Sequence, residues 1–467
     1  MRALPVALLA AVLAGCGGSS PTDPAPGPDP TPLPNPPNLV VIVTDDLDVL
    51  TTEALPRIGE LVADRGVIFS RAYVVFPVCG PSRASILTGQ YSHNHGVTTN
   101  SAPSGGFPGF RRHEGTTIAT WLQASGYRTA LVGKYINDYP TGAEDNYVPP
   151  GWDEWHGHLS AFEDGRYYDY WVNDNGRVTR YGAKPEDYSA DVEAQRAVQF
   201  IEDSAGRPEP LFLYLAPEAP HRPATYASRH GGEFRDAGAP RVPSFNEPDV
   251  SDKPVGVRQP PLTDAHLEWL DELQRWRLRS MRAVEEMMAT VLRALNDTGR
   301  LGNTYLIFTS DTGLLMGQHR YPARKNNFYE ESTRVPLMIR GPGVGPRTDD
   351  RLVLSIDLAP TLLELAGAPV PASVDGRSLV PLLHGAPAAS WRTDVLIEAG
   401  SPAPGFGLRT PDWSYIENTT EEIELYDMRR DPWQLESLHR EAEPSLLQSL
   451  HERVRALRSC RGASCRD

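Results

Sequence analysis

Cationic side chains are in short supply in this chain: 45 lysines and arginines stand against 60 aspartates and glutamates, a formal charge of −15. Nucleic acid binding draws its affinity from basic patches that neutralise phosphates, so this balance argues against a nucleic acid partner. An anionic small substrate would need a local positive pocket. Cysteine is scarcer still, at four: Cys16, Cys79, Cys460 and Cys465. Outside the cytoplasm the last two could close a small C-terminal disulfide loop, which leaves Cys79 without an obvious partner. An unpaired thiol in an oxidising compartment is a hazard unless it is buried or chemically converted. Beyond the N-terminus no apolar run is long enough to cross a bilayer.

What is present begins with MRALPVALLAAVLAGCGGSS. Arg2, the apolar stretch Ala3–Ala14 and the small residues before Cys16 read as an export signal, too short for a permanent membrane span. Leu13-Ala14-Gly15-Cys16 also resembles a bacterial lipobox, in which cleavage leaves a lipidated cysteine. Residues 1–16 are therefore expected to export the chain as a lipoprotein anchored at a membrane surface, in the periplasm or on the cell exterior. An ordinary cleaved signal with an incidental cysteine is the plainer alternative. Residues 17–37 are proline-dense and deny the backbone donors a core needs, which suits a semi-rigid polyproline II spacer.

From Asn38 onward, buried strands alternate with helices. Asn38–Val43 (NLVVIV) is a β-branched run of the kind buried on both sheet faces. Helical spacing follows around Ile58, Leu61 and Val62, then a strand-like stretch over Val67–Val75. Thr117–Ala124 and Glu193–Asp203 read as helices, and Tyr127–Val132, Leu211–Leu215 and Tyr305–Thr309 as strands. A long amphipathic helix is predicted over Thr263–Asn296, capped by Thr263. This order implies an α/β fold with a largely parallel or mixed central sheet, whose ligands gather at the carboxyl ends of strands. Residues 38–370 are assigned to this domain. Residues 371–467, with short strands near Val395–Glu398, Tyr415–Ile416 and Glu424–Tyr426 and a final amphipathic helix, are assigned to a smaller α+β domain. Pro140–Ala190, rich in Tyr, Trp, Gly and Asp with weak periodicity, reads as a long surface insertion, either shaping a pocket or a loop.

Asp45 and Asp46 end one buried strand and Asp311 ends another. A single aspartate after a strand is usually a cap or turn. Adjacent carboxylates at a buried strand end repel each other and resist ionisation, and a cation relieves both effects. Oxygen ligands suit a hard ion, Ca²⁺ or Mg²⁺. In CGPSRASILTGQ, Pro81 lies in the first turn of a helix, Gly89 suits its C-terminal cap, and Cys79 meets the helix N-terminus with Arg83 about one turn away. That is anion-site chemistry.

Cys79-Gly80-Pro81-Ser82-Arg83 followed by Leu87-Thr88-Gly89 resembles the signature of type I sulfatases, whose cysteine is oxidised to Cα-formylglycine by a separate generating enzyme. The similarity extends through TDDLD at Thr44–Asp48, GKY at Gly133–Tyr135, APEAPHRP at Ala216–Pro223, TSDTG at Thr309–Gly313 and KNNFYEESTRVPLMIRGPG at Lys325–Gly343. Within that family HNHGV at His93–Val97 and GKYIND at Gly133–Asp138 are most similar to N-acetylglucosamine-6-sulfatases and related glycosaminoglycan sulfatases. The resemblance implies an alkaline-phosphatase-like fold and a sulfuric ester hydrolase acting on a sulfated sugar or glycosaminoglycan fragment. It also implies a metal site of Asp45, Asp46, Asp311, residue 79 and Thr312. Lys134 and Lys325 match lysines that contact sulfate, His221 a histidine near the leaving oxygen, and Arg83 the group that steadies the hydrate. Thr312 departs from the family's usual Asn or His. His93 and His95 are left out of the site, and His319 is a weaker candidate. A phosphatase or phosphonate monoester hydrolase of the same superfamily, or a lipoprotein that binds sulfated glycans without turnover, are the competing readings.

Overall fold

The computed structural model describes residues 35–161, 165–385, 391–400 and 404–466. The expected signal and lipobox and most of the expected linker lie outside them. No helix among the described residues is long and apolar enough to cross a membrane.

Ten strands form the main sheet, in the order Arg347–Asp349, Gly66–Phe69, Leu337–Arg340, Thr304–Ser310, Asn38–Thr44, Leu211–Ala216, Arg128–Gly133, Glu154–His158, Trp171–Asp174 and Arg177–Arg180. The five in the middle, from Thr304–Ser310 to Glu154–His158, run parallel, so their carboxyl ends share one edge. Asn38–Thr44 lies at the centre, every residue buried. Leu39, Val41 and Val43 join one apolar cluster and Val40 and Ile42 the other, as the two-residue side-chain period requires of a strand covered on both faces.

Helices Cys79–Thr88, Ile118–Ala124 and Leu358–Ala366 cover the first face. Ser189–Asp203 and Asp264–Asp297 cover the second. The 34-residue helix Asp264–Asp297 starts one residue from the predicted boundary, and Thr263 accepts from His266 N–H as its cap. The stretch Val67–Val75 divides into Gly66–Phe69 and Ala72–Tyr73. Within Pro140–Ala190 the surface insertion proves to hold the last three strands of the main sheet. They are four or five residues long, too short to display a period that sequence can reveal.

Val395–Ala399, Gly405–Arg409, Trp413–Asn418 and Ile423–Asp427 form a separate antiparallel sheet, as expected of a smaller C-terminal layer. Helix Pro444–Leu457 sets Leu450, Val454 and Leu457 into the same apolar cluster as Leu408, Tyr415 and Leu425. That cluster also holds Tyr73, Tyr91, Leu315 and Phe328, so the C-terminal sheet packs on segments that precede residue 370. Cys460 and Cys465 are disulfide-bonded, and Cys79 is free and buried.

Candidate active site at the strand ends

Register brings the acidic residues together. Thr44 pairs with Ser310, so Asp45 and Asp311 each come next at the same edge. Backbone bonds carry the ladder past the strand ends: Asp311 N donates to Thr44 O at 3.0 Å, Asp45 N to Ala219 O at 3.1 Å and Lys134 N to Ala216 O at 2.8 Å. Asp45, Lys134 and Asp311 are thereby held at one edge by backbone bonds. Asp46 then adopts a left-handed conformation, φ 64°, and the chain turns away.

Helix Cys79–Thr88 delivers the remaining groups. All ten of its residues are buried, and Gly89 ends it in the left-handed conformation expected of a C-terminal cap. Cys79 opens the helix, so Arg83, four residues on, lies on the same face. Cys79 Sγ is 3.2 Å from Asp45 Oδ1 and 3.9 Å from Asp46 Oδ1. Arg83 Nε donates to Asp311 Oδ2 at 2.7 Å, its Nη1 to Lys134 O at 3.0 Å, and its Nη2 lies 3.5 Å from Asp45 Oδ2. Lys134 contacts the Asp45 carboxylate, and Lys325 contacts both Asp46 and Cys79 Sγ.

The predicted residues therefore meet, with a division of labour inside the set. Ligand atoms of Asp45, Asp46, Cys79 and His221 lie within 4.8 Å of one another. Asp311 stands beside this group, with Oδ2 accepting from Arg83 and Oδ1 from Asp46 N–H at 3.2 Å. Thr312 donates its hydroxyl to Asp46 Oδ1 at 2.8 Å. His221 Nε2 is 3.7 Å from Asp46 Oδ2, and its Nδ1 is 2.6 Å from Arg222 O. A carbonyl only accepts, so Nδ1 carries the hydrogen and Nε2 faces the acids. His93 and His95 are elsewhere: His93 bonds Glu398 and Cys460 O, while buried His95 meets Ser85. His319 pairs with Glu247 away from this group.

Electrostatics follow from burial opposed by pairing. Burial resists ionisation of Asp45, yet Lys134, His221, Arg83 and Lys325 hold it well below the usual carboxylate range. Asp46 is lowered in the same way, against burial, chiefly by Lys325 and His221. Asp311 is raised, first by burial and then by Asp45. Burial, with Asp311 and Asp45, pushes the Cys79 thiol well above its ordinary value. The unmodified residue is a neutral, weakly nucleophilic thiol. A buried, mostly carboxylate donor set fits a hard divalent cation, whose charge would offset the repulsion between Asp45 and Asp46.

Three residues that sequence did not single out adjoin the site. Glu218 is buried between Lys134 Nζ at 3.8 Å and Arg166 Nη1 at 2.7 Å, and these cations hold it down to about 2 against burial. His158 Nδ1 lies 4.0 Å from Glu218 Oε1. Glu218 stood inside APEAPHRP, where its strand-end position was the available signal. Arg166 and His158 come from the aperiodic insertion and carried none.

The family model described as Sulfatase matches residues 37–368, and one described as N-sulphoglucosamine sulphohydrolase, C-terminal, matches residues 317–460. The chain is 34% identical over 480 residues to N-acetylglucosamine-6-sulfatase of Homo sapiens, covering 92% of this chain and 86% of that protein. A solved structure described as in complex with its substrate D-glucosamine-2-N,6-O-disulfate is similar with a TM-score of 0.76 and 25% identity, covering 90% of this chain and 97% of that one. The phosphonate monoester hydrolase of Silicibacter pomeroyi shares the fold with a TM-score of 0.70 at 24% identity, over 90% and 94% of the two chains.

Proposed function

The chain belongs to the sulfatase family of sulfuric ester hydrolases, and from that premise we propose that it releases sulfate from a 6-sulfated hexosamine or a glycosaminoglycan fragment bearing one, using residue 79 after its oxidation to Cα-formylglycine. One observation carries the reading: Cys79 lies against Asp45, Asp46 and Lys325, where its own thiol is held protonated and is a poor nucleophile. As a hydrated aldehyde, residue 79 supplies two hydroxyls on one carbon, one to attack sulfur and one to expel sulfate.

The chain's own groups are arranged for that reaction. Lys134 and Lys325 flank the carboxylate pair and supply ammonium donors for sulfuryl oxygens, whose charge grows in the transition state. Arg83 is fully buried, holds Asp311 and Asp45, and adds a fixed positive charge behind residue 79. His221 has Nδ1–H fixed on Arg222 O, so Nε2 is the nitrogen free to take up a second proton, and the imidazolium so formed passes that proton to the leaving sugar oxygen and returns to neutral. Asp45 and Asp46 would hold Ca²⁺ or Mg²⁺, with Asp311 and Thr312 beside them, and the ion would oppose negative charge developing on the ester. Anchoring through a lipidated Cys16 is part of this proposal, supported by the lipobox-like sequence and the spacer that follows.

The test is sulfate release from 6-sulfated N-acetylglucosamine and from a matched phosphate monoester, by protein from the native host and by Cys79→Ala. Mass spectrometry of peptide Ala72–Arg83 reads the state of residue 79. We expect an aldehyde there, sulfate release, and loss of turnover by at least about 10⁴-fold in Cys79→Ala. Retained turnover in that variant overturns the nucleophile. Preference for the phosphate ester favours the phosphatase reading, and an intact thiol without turnover favours a glycan-binding lipoprotein.

A further inference from the structure

Of the two lysines assigned to sulfate, Lys134 directly follows a strand, whereas a loop delivers Lys325. Residues 315–324 fold back on themselves: Leu315 N donates to Arg324 O at 2.8 Å and Arg324 N to Leu315 O at 3.0 Å, so Lys325 leaves the closed base of a hairpin. His319, Arg320, Ala323 and Asn326 adopt left-handed φ of 50°, 63°, 57° and 67°. None is glycine, and residues carrying a Cβ keep such a backbone only where their surroundings hold it. Lys325 sits inside this strained run.

Segment 244–259 does the holding. His319 N donates to Ser244 O at 2.8 Å, and Asn246 N donates to Gly317 O at 2.9 Å. Arg320 gives Nε to Glu247 O at 2.7 Å, Nη2 to Pro248 O at 2.6 Å and Nη1 to Gln259 O at 3.0 Å. One bond of this clasp joins two buried side chains, with His319 Nδ1 2.8 Å from Glu247 Oε2. The imidazole also stacks on Tyr329, ring centroids 4.0 Å apart. Burial drives His319 down to about 4, so the ring is neutral at pH 7. Burial raises Glu247 to about 7, and the bond forms with the proton on either partner. Glu247 Oε1 lies 3.0 Å from Lys253 Nζ, which donates to Gln434 O at 3.0 Å and Leu435 O at 3.2 Å. The hairpin is thus tied through Glu247 to the C-terminal layer.

We propose that His319 is a positioning residue for the reaction, its bond to Glu247 fixing the course of residues 315–324 so that the Lys325 ammonium stays against residue 79 and Asp46. The inference rests on the sulfatase reading and adds to it a residue that touches no reacting atom. His319 bonds Glu247, away from the ligand group, and its effect reaches the chemistry through Lys325, which contacts Asp46 and residue 79. A displacement of about 1 Å in a charge that steadies the transition state is enough to cost about 10²-fold.

The experiment is a double-variant cycle on kcat and KM for 6-sulfated N-acetylglucosamine, with His319→Ala and Lys325→Ala made singly and together. Rates are expressed per mole of aldehyde at residue 79, and urea unfolding establishes that each variant is folded. We expect His319→Ala to lower kcat by about 10- to 100-fold with KM changed by less than about threefold. Lys325→Ala should lower kcat by about 10³-fold, and the double variant should match it within about twofold. His319→Asn places an amide nitrogen near the position of Nδ1 and tolerates the left-handed backbone, so it should recover most of the loss. A role in packing alone would leave asparagine, which has no ring to set on Tyr329, as poor as alanine. If His319→Ala does not fold, Arg320→Asn, which removes the guanidinium donors to Glu247 O, Pro248 O and Gln259 O, takes its place in the cycle under the same criterion. Wild-type kcat in the folded single variant, losses that multiply in the double variant, or His319→Asn no better than His319→Ala overturns the proposal. Absence of sulfate release by the wild type sinks the sulfatase reading instead. The same cycle is then read by calorimetric titration with inorganic sulfate, where the positioning role fails if the wild type binds no sulfate or if the losses in affinity multiply.

Discussion

Replacing Arg83 by methionine should damage the fold in a way whose pH dependence identifies the cause. Arg83, Asp45 and Asp311 are all fully buried, so the arginine's loss leaves two carboxylates in an interior that water cannot reach. Asp45 keeps Lys134 as a partner. Asp311 keeps only the backbone N–H of Asp46 among its described contacts. It is already raised by burial and by Asp45, so in the variant it takes up a proton when folded. Breaking a buried pair in this manner costs about 3–5 kcal/mol. Protonation caps the cost: bringing a carboxylate of ordinary pKa about 3.9 to the neutral form at pH 7 takes about 4 kcal/mol, at about 1.4 kcal/mol per pH unit. Between those limits the folded variant binds one proton more than its unfolded chain, so its stability falls as pH rises. The gap between wild type and Arg83→Met should therefore be about 4 kcal/mol at pH 7 and about 1–2 kcal/mol at pH 5. Urea unfolding followed by far-ultraviolet circular dichroism, with EDTA present so that ion binding adds nothing, reads both values. Adding Asp311→Asn, which keeps an acceptor for Asp46 N–H without the charge, should recover a large part of the loss. A gap below about 1 kcal/mol, a gap constant from pH 5 to 8, or a double variant no better than the single one would refute the argument.

Gly133→Ala should cost at least about 2 kcal/mol and lower turnover by about 10²-fold, because φ is 101° there, a Cβ would lie 2.3 Å from Ala216 O, and the next residue is Lys134; sulfate-release kinetics with urea unfolding measure both. Thr312→Val removes the donor to buried Asp46 Oδ1 and should cost about 1–3 kcal/mol in urea, whereas Thr312→Ser should be close to wild type. Burial raises Glu114 to about 7 although Tyr147 donates to it at 2.8 Å. The folded state therefore holds a proton that the unfolded chain has lost, and stability declines as pH rises from about 4.5 to about 7. Glu114→Gln should flatten that interval by about 2–3 kcal/mol between its ends, read from thermal or urea unfolding at several pH values.

The parts of this molecule that could be read in advance are those where one residue type answers one physical demand. Asn38–Thr44 and Thr304–Ser310 are continuous apolar runs because both sheet faces are covered, and a strand covered on both faces has no polar side to show. Thr263 announces the long helix because its hydroxyl satisfies an N–H that the first turn leaves open. Arg166, His158 and Glu218 sit near the reacting residues for a different reason. Trp171–Asp174 and Arg177–Arg180 extend the sheet by pairing across it, and such pairing depends on partners remote in sequence. Glu218 lies in APEAPHRP just past a strand end, but its role arises from Lys134 and Arg166, which approach it from two other segments.

By itself the sequence determined the chemical inventory: a cysteine at a helix start, an arginine one turn later, two carboxylates after one buried strand and a third after another, and lysines in motifs of a known kind. Local covalent order is enough to put Arg83 on the face of Cys79 and to end a strand at Asp45. The tertiary structure decided the distances. Pairing of Thr44 with Ser310 sets Asp311 beside Asp45, and packing of helix Cys79–Thr88 on the sheet brings Sγ to 3.2 Å from Asp45. It also gave Asp311 to Arg83, drew His221 into the ligand group and set Glu218 between Lys134 and Arg166. Those outcomes depend on strand register and on the packing of distant segments, which are properties of the folded chain as a whole.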